Sequence, residues 1–228
     1  LLVSRSDKLV LPQLIVLDLL GDVANGKKRI GTTGRGIGPC YADFVARVSL
    51  SANDLLNPDV FVRKFEANLE VHAHALHAFD PEDVRKVMHQ EILEGGALCH
   101  PEHMIDKEAV VERYLSRGQA LRQFIVDTEA LLKDAVGKKR ILVVGSHGSL
   151  LSVKKGTYPF VTSSDCSLDA TIEGPGHRKE HVDGVLGIAK FPYMTRVGEG
   201  PFPTEFGGEK SAVHCPTATF DSETKASP

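Results

Sequence analysis

The segment that most constrains this chain is a glycine-rich loop at residues 30–39, with the sequence Ile-Gly-Thr-Thr-Gly-Arg-Gly-Ile-Gly-Pro. Closely spaced glycines allow backbone N–H groups to converge on an anion without interference from Cβ atoms. Thr32 and Thr33 add hydroxyl donors, and Arg35 adds a guanidinium, which matches phosphate well. It is not a Walker A loop, because no Gly-Lys-Ser/Thr follows at the required spacing. Two interpretations remain open: a tight turn that only reverses the chain, or a phosphate loop whose candidate residues are Gly31, Thr32, Gly34 and Arg35.

Short apolar runs predict the strands of a sheet. Ile141 to Val144 is rich in β-branched residues and leads into a glycine-containing turn, as buried strands of α/β nucleotide-binding sheets do. Val185 to Ile188 predicts a second such strand, and Val10 to Leu20 predicts the end of a strand that runs into a helix. The predicted fold class is therefore α/β, with a mostly parallel sheet flanked by helices.

Helical spacing of apolar residues dominates the middle of the chain. Asn57 before Pro58 is a plausible N-cap followed by proline in the first turn, and the predicted helix continues to about Ala78. A short helix is predicted from Pro81 to Leu93, and a longer helical stretch from Asp106 to Val136. The candidate core positions are Phe61, Phe65, Leu69, Leu76, Val110, Tyr114, Leu121, Ile125, Leu132 and Val136.

The composition argues against several classes of function. A chain of 228 residues with 42% apolar and 25% charged residues can bury a hydrophobic core. The net charge of −3, with acidic and basic residues well mixed, argues against general nucleic-acid binding. The longest apolar stretches are too short to span a bilayer, and four widely spread cysteines indicate a reducing compartment. We therefore expect a cytoplasmic protein that binds neither nucleic acid nor membrane.

Three groups of potential metal ligands each have a simpler interpretation. The first does not lie on one helical face, which favours a solvated helix surface. The second has no fourth ligand at a suitable spacing, and the third follows a Gly-Pro-Gly sequence that favours a loop. We therefore predict no metal site from them. The groups are His72, His74 and His77, then Cys99, His100 and His103, and finally His177 and His181.

Two further strings join the glycine-rich loop in resembling a known family. Residues 156–164 have the sequence Gly-Thr-Tyr-Pro-Phe-Val-Thr-Ser-Ser, and residues 195–205 have the sequence Thr-Arg-Val-Gly-Glu-Gly-Pro-Phe-Pro-Thr-Glu. Composition alone would make each a structural turn. In this order and at this separation, and with the loop that begins at Gly31, they resemble the adenylosuccinate synthetase family over roughly Leu1 to Phe206.

The resemblance implies substrates and contacts. Members of this family condense IMP with aspartate, using GTP and Mg²⁺, and act as homodimers. Matching positions imply that Thr33 and Thr162 contact the IMP phosphate, and that Arg47 reaches the IMP site of the partner subunit. The backbone near Val197 would lie by the ribose. His147 occupies a position where the family has a glutamine or asparagine that also touches IMP.

The resemblance also implies how the chain is organised. Residues 1–206 would form the central part of a synthetase-like domain, an incomplete P-loop-NTPase-like sheet with a helical insertion at about 57–137. Residues 207–228 would form a flexible tail. The 228 residues contain neither the family's Gly-Asp-Glu-Gly-Lys-Gly-Lys loop, which holds the GTP phosphates, nor its catalytic histidine segment. No catalytic residue is therefore assigned, and the chain alone is expected to be inactive. The alternative is a non-catalytic truncated homologue that binds nucleotide or only dimerises.

Several positions depart from the family within the matched region. In the turn before the second string, an acidic residue and an amide are replaced by Val144 and His147. An aspartate-containing stretch is replaced by Ser-Val-Lys-Lys at residues 152–155. Paired glycines are replaced by Asp169 and Ala170. If those glycines have positive φ, the replacement would be strained by ~1 kcal/mol or more.

Overall fold

The chain folds into two compact units. A computed structural model describes residues 1–26, 30–88, 104–189 and 200–201, and the backbone at 195–196 and 225–226. Unit 1 comprises residues 1–27 and 34–142, and unit 2 comprises residues 28–33 and 143–228. Across the described ranges, no helix is both long and apolar enough to cross a membrane.

Helices dominate unit 1. Its elements in chain order are β1 (Val3–Ser4), α1 (Pro12–Asn25), α2 (Ile37–Ala46), α3 (Pro58–His77), α4 (Pro81–Met88), α5 (Lys107–Leu121), β2 (Ile125–Val126) and α6 (Thr128–Ala135), with a 3₁₀ turn at Ala52–Leu56. The described elements of unit 2 are α7 (Leu168–Glu173), β3 (Thr195–Arg196) and β4 (Lys225–Ala226), with 3₁₀ turns at Ser149–Leu151 and Lys179–His181.

Strands β1 and β2 pair in parallel. Val3 is opposite Ile125, and the N–H of Val3 donates to the carbonyl of Phe124 at 2.8 Å. In unit 2, β3 and β4 pair in antiparallel orientation. Helices together with a small parallel sheet confirm the predicted α/β class.

Helix α3 follows the sequence prediction closely. The side chain of Asn57 accepts a hydrogen bond from the N–H of Val60 at 3.3 Å, and Pro58 occupies the first turn. Phe61 and Phe65 are fully buried, as their spacing predicts. An amphipathic helix of this kind is stabilised mainly by the burial of its apolar stripe.

The core of unit 1 forms around that stripe. The ring of Phe61 stacks on Phe65 at 6.0 Å and on Tyr114 at 5.8 Å, measured between centroids. The Tyr114 hydroxyl donates to the carbonyl of Val10, which ties α5 to the start of α1. Burying one such aromatic side chain contributes about 1.5–3 kcal/mol. The buried apolar cluster consists of Leu11, Leu14, Val16, Leu20, Cys40, Leu50, Leu55, Phe61, Phe65, Leu76, Val84, Val87, Met104, Ile105 and Val110.

The predicted continuous helical stretch from Asp106 to Val136 is wrong in its middle. Helix α5 ends at Leu121, and Ile125–Val126 forms β2. The Asp127 side chain then accepts a hydrogen bond from the N–H of Ala130 at 2.9 Å and so begins α6. A β-branched pair followed by an N-cap residue therefore ends one helix and begins another.

The predicted strands at Ile141 to Val144 and Val185 to Ile188 are also wrong. Both segments are irregular, with Leu142 86% exposed and Leu186 87% exposed. An apolar run becomes a buried strand only where neighbouring backbone pairs with it, and within the described residues neither segment has a strand partner. At Val10 to Leu20 the predicted helix is present as α1, which begins at Pro12, whereas the predicted strand end before it is wrong.

Candidate functional site

Gly34 and Gly36 of the glycine-rich loop lie against helix α1. Gly34 and Gly36 have φ values of 63° and 73°, in the left-handed region that favours glycine. A Cβ on Gly34 would lie 2.4 Å from Cδ2 of Leu19, and one on Gly36 would lie 2.9 Å from the backbone nitrogen of Ile15. The N–H of Gly36 also donates to Oδ2 of Asp18 at 2.9 Å. Gly36 is therefore required by its close approach to the backbone of α1, and Gly34 is favoured by its left-handed φ.

Three polar residues of the loop, Thr32, Thr33 and Arg35, are exposed. The predicted phosphate contacts of this loop therefore stay a prediction, and the turn interpretation accounts for Gly34 and Gly36. Gly31 and Thr33 belong to unit 2, whereas Gly34 and Arg35 belong to unit 1.

Arg47 lies at the C-terminal end of α2 in a left-handed conformation, with φ 67° and ψ 29°. Its N–H donates to the carbonyl of Phe44 at 3.2 Å, and the N–H of Val48 donates to the carbonyl of Asp43 at 3.0 Å. Such paired bonds satisfy the last carbonyls of a helix. The Arg47 side chain is exposed, and its contact with a ligand stays a prediction.

A buried polar network connects α1, α2 and α3 beneath this turn. Nε2 of Gln13 donates to Oδ1 of Asn68 at 2.8 Å, and Nδ2 of Asn68 donates to Oδ2 of Asp43 at 2.6 Å. His72 approaches the same carboxylate through Nε2 at 2.9 Å. Buried polar side chains that bond one another in this way fix the relative placement of the helices that carry them.

Sequence reasoning missed this network and misplaced one of its members. The interpretation of His72 as part of a solvated helix surface is wrong, since its side chain is 15% exposed and contacts Asp43. His74 and His77 are exposed, as predicted. The available signal was helical spacing, because Asn68 and His72 continue the stripe of buried positions on α3.

The second family string belongs to a compact loop in unit 2, residues 148–167. The N–H of Thr162 donates to the carbonyl of Leu151 at 2.8 Å, and the N–H of Val153 donates to the carbonyl of Ser164 at 3.1 Å. A Cβ on Gly156 would lie 2.2 Å from the carbonyl oxygen of Leu150, so only glycine fits there. These contacts fix the backbone position of Thr162, the predicted IMP ligand.

Asp165 is the centre of this loop. Its Oδ1 accepts from the Ser152 hydroxyl at 2.8 Å and from the N–H of Ser167 at 3.1 Å, and its Oδ2 lies 3.1 Å from Nζ of Lys154. Hydrogen bonds from Ser167, then from Ser152 and Lys154, hold the pKa of the Asp165 carboxyl well below its usual range. The carboxylate is therefore charged at neutral pH and organises the loop around it.

Two of the departures from the family pair with each other. Nζ of Lys155 lies 3.4 Å from Oδ2 of Asp169, and Nζ of Lys179 lies 2.7 Å from Oδ1 of the same residue. Asp169 and Ala170 both lie within α7, whose N-cap is Ser167. The strain anticipated for a positive φ at these two positions is therefore absent, because both adopt helical backbone.

The third family string meets the second at Gly200. Its φ is 104°, and a Cβ there would lie 2.4 Å from Cβ of Phe160. Gly200 therefore packs directly on the Phe160 side chain. Val197, predicted to lie by the ribose, falls outside the described residues.

His147 has a left-handed backbone with φ 70°, and its side chain is exposed. Histidine, asparagine and aspartate are the non-glycine residues that tolerate this conformation best. Its Nδ1 lies 3.2 Å from the Ser146 hydroxyl. A histidine can therefore occupy this turn without disturbing it, while its contact with a ligand stays a prediction.

The Mg²⁺ that the resemblance implies stays a prediction. In the described ranges, no group of three or more His, Cys, Asp or Glu side chains converges where a metal ion could bind. His177 and His181 meet edge to face, with centroids 6.2 Å apart. The group Cys99, His100 and His103 lies outside the described residues.

Helices, a small parallel sheet and two tightly folded loops define a chain of the α/β class. The sequence model of the family described as adenylosuccinate synthetase matches residues 1–224. The chain belongs to the adenylosuccinate synthetase family.

Individual relatives agree with this assignment. An adenylosuccinate synthetase from Clostridium beijerinckii is 39% identical over 210 residues, which cover 92% of this chain and 44% of the relative. Adenylosuccinate synthetase 1 from Pseudoalteromonas translucida is 39% identical over 206 residues, covering 90% of this chain and 42% of the relative. The structure of fully ligated adenylosuccinate synthetase from Plasmodium falciparum is similar, with a TM-score of 0.73 and 26% identity, covering 92% of this chain and 44% of that one. The chain spans less than half the length of these relatives.

Proposed function

We propose that this chain is part of a cytoplasmic adenylosuccinate synthetase, which joins IMP to aspartate at the expense of GTP in AMP biosynthesis. Within it, the chain supplies segments of the IMP site and of a homodimer interface. The observation that carries the proposal is the near-complete match of three strings, beginning at Gly31, Gly156 and Thr195, to those of the family. The packing of Gly200 on Phe160, which brings the second and third strings together, supports it.

In this function, the residues of the chain bind and orient the nucleotide. The hydroxyls of Thr33 and Thr162 donate to the phosphate of IMP, and the Arg47 guanidinium of the partner subunit neutralises part of its charge. The γ-phosphoryl group of GTP passes to the 6-oxygen of the purine, and the amine of aspartate then displaces phosphate from carbon 6. Such chemistry depends on positioning and charge neutralisation more than on covalent catalysis. The family implies that Mg²⁺ accompanies GTP, and no step is assigned to it on the described residues.

An exposed apolar face on α2 supports the homodimer. Tyr41, Phe44 and Val45 are 43%, 50% and 75% exposed, and they lie within one turn or two of Arg47. Apolar side chains grouped on one helix face are typical of protein interfaces. A second copy of the chain that covers this face would also carry Arg47 towards its neighbour's nucleotide.

A second candidate is a homologue that binds nucleotide or dimerises without turnover. The ion pairs of Lys154 with Asp165 and of Lys155 with Asp169 favour it, because they engage residues in a stretch where the family has aspartate. Val144, at a position where the family has an acidic residue, is 79% exposed.

Calorimetric titration and a turnover assay test both candidates on the 228-residue chain. Heat of binding with IMP, reduced in Thr33→Ala and in Arg47→Ala, supports an IMP site of the proposed composition. The chain alone should release no GDP with IMP, aspartate, GTP and Mg²⁺ present, and release of GDP would overturn both this expected inactivity and the second candidate. If the parent chain gives no heat with IMP, the nucleotide-binding role of this chain is wrong.

A further inference from the structure

Asn68 of α3 bridges the two sides of the turn that carries Arg47. Its Nδ2 atom lies 2.6 Å from Oδ2 of Asp43 and 3.1 Å from the carbonyl oxygen of Val48. Asp43 precedes Arg47 by about one helical turn, and Val48 follows it directly. Asn68 is 1% exposed, so water does not compete strongly for these two hydrogen bonds.

Arg47 needs such support because its backbone conformation is unfavourable. A left-handed φ of 67° places the Cβ of an L-residue too close to the neighbouring carbonyl oxygen. Residues in this region persist only where the surroundings determine the conformation strongly. The same conformation sets the direction in which the Arg47 side chain leaves the end of α2.

The geometry points to Asn68 and Asp43 as positioning residues that hold this left-handed turn and thereby direct the Arg47 guanidinium towards its anionic ligand. His72 also supports Asp43, since its Nε2 lies 2.9 Å from Oδ1 and 3.1 Å from Oδ2 of that residue. Asn68 acts through Arg47 and has no contact with the nucleotide. The inference rests on the proposed function in one respect: the ligand is taken to be the phosphate of IMP in the partner subunit.

Hydrogen–deuterium exchange tests, without any ligand, whether Asn68 holds the left-handed turn at Arg47. Asn68→Asp has nearly the same shape but donates neither hydrogen bond, so the amides of Arg47 and Val48 should exchange about tenfold faster or more. The matched control is Asp54→Asn, which alters a buried carboxylate of the same unit that bonds Ser51 and Lys64 instead. It should leave both amides at the parent rate.

A second variant distinguishes loss of the two hydrogen bonds from failure of the protein to fold. Asn68→Ala removes the donors without adding a carboxylate beside Asp43. Far-UV circular dichroism shows whether the two Asn68 variants fold. If both fold and their Arg47 and Val48 amides exchange no faster than those of Asp54→Asn, Asn68 does not hold the turn. If neither folds while Asp54→Asn does, Asn68 is required for the fold alone and the positioning role is overturned.

IMP titration then distinguishes an effect of Asn68 on the direction of the Arg47 side chain from an effect on the stability of the fold. Asn68→Ala should weaken IMP binding about as much as Arg47→Ala, and the double variant should lose little more, because the two residues act as a unit. Asp54→Asn should bind IMP like the parent. Parent-like affinity in Asn68→Ala would overturn the positioning role even if exchange is faster. If the parent itself does not bind IMP, the proposed function and the assigned ligand both fail, while the exchange rates still decide whether Asn68 holds the turn.

Discussion

His72 and Asp43 form a largely buried pair between α3 and α2, in which Nε2 of the imidazole lies 2.9 Å and 3.1 Å from the two carboxylate oxygens. The two side chains are 15% and 4% exposed. Removing the imidazole leaves a buried carboxylate with one partner fewer, which costs about 1–3 kcal/mol. His72→Ala should therefore lower the free energy of unfolding by that amount, measured by urea denaturation at neutral pH.

His74 provides the control on the same helix. Its side chain is exposed, so His74→Ala should change the free energy of unfolding by less than about 0.5 kcal/mol. Equal urea midpoints for the His72 and His74 variants would contradict the stabilising role of the His72–Asp43 contact.

Gly36 and Gly21 should respond to alanine in opposite directions. At Gly36 the φ is 73° and a new Cβ would lie 2.9 Å from the backbone nitrogen of Ile15, so Gly36→Ala should destabilise unit 1 by about 1–3 kcal/mol. Gly21 lies within α1 with nothing inside 4 Å of a Cβ, so Gly21→Ala should stabilise by about 0.5–1 kcal/mol. Thermal unfolding of the two variants beside the parent measures both effects. A Gly36 variant as stable as the parent would show that the loop does not need its close approach to α1.

Acid should weaken unit 2 through Asp165. Ser167, then Ser152 and Lys154, hold the pKa of this carboxyl below its usual range, so as the pH falls the unfolded chain binds the proton before the folded one does. The stabilisation is fully present above the unfolded pKa of about 3.9 and is lost as the pH falls through the folded pKa. The urea midpoint should therefore fall more steeply with acid in the parent than in Asp165→Asn.

Ser152→Ala gives an intermediate case for the same titration. It removes the 2.8 Å hydrogen bond that the Ser152 hydroxyl donates to Oδ1 of Asp165. Its acid dependence should lie between those of the parent and Asp165→Asn. Identical acid dependence in all three proteins would mean that Asp165 does not stabilise the loop through its charge.

Mixing two variants that each bind IMP weakly tests whether Arg47 acts across a dimer. Thr33→Ala and Arg47→Ala damage the pocket and the partner's contribution separately, so each homodimer should bind IMP weakly. In a random mixture, one site of every heterodimer is intact, and about a quarter of all sites should recover parent affinity. Titration of the mixture after subunit exchange measures this fraction. No recovery would place Thr33 and Arg47 in the same subunit's site or in none.

Local structure was predictable where the residues of one segment are sufficient to determine its conformation. Helix α3 has its N-cap, its proline and its apolar stripe within its own sequence, and the structure has it at Pro58–His77. The family strings were recognisable for the same reason, since each is contiguous.

Structure that depends on distant residues was not predictable. Ile125 continues a helical pattern, yet it forms a strand because Val3 pairs with it from near the beginning of the sequence. His72 was predicted to be solvent-exposed, because its partner, Asp43, lies on another helix and is not evident from the sequence around His72. The strand predicted at Ile141 to Val144 failed for the converse reason, since a strand requires a neighbour that the local sequence does not contain.

The parallel pairing of Val3 with Ile125 has a consequence for biosynthesis. Because Ile125 pairs with Val3 across a long stretch of intervening sequence, β1 waits for its partner until that stretch has been synthesised. Helix α3 can form early from local contacts, whereas closure of this long loop is slow. During that interval β1 has an unpaired strand edge, which favours wrong pairing until β2 is available.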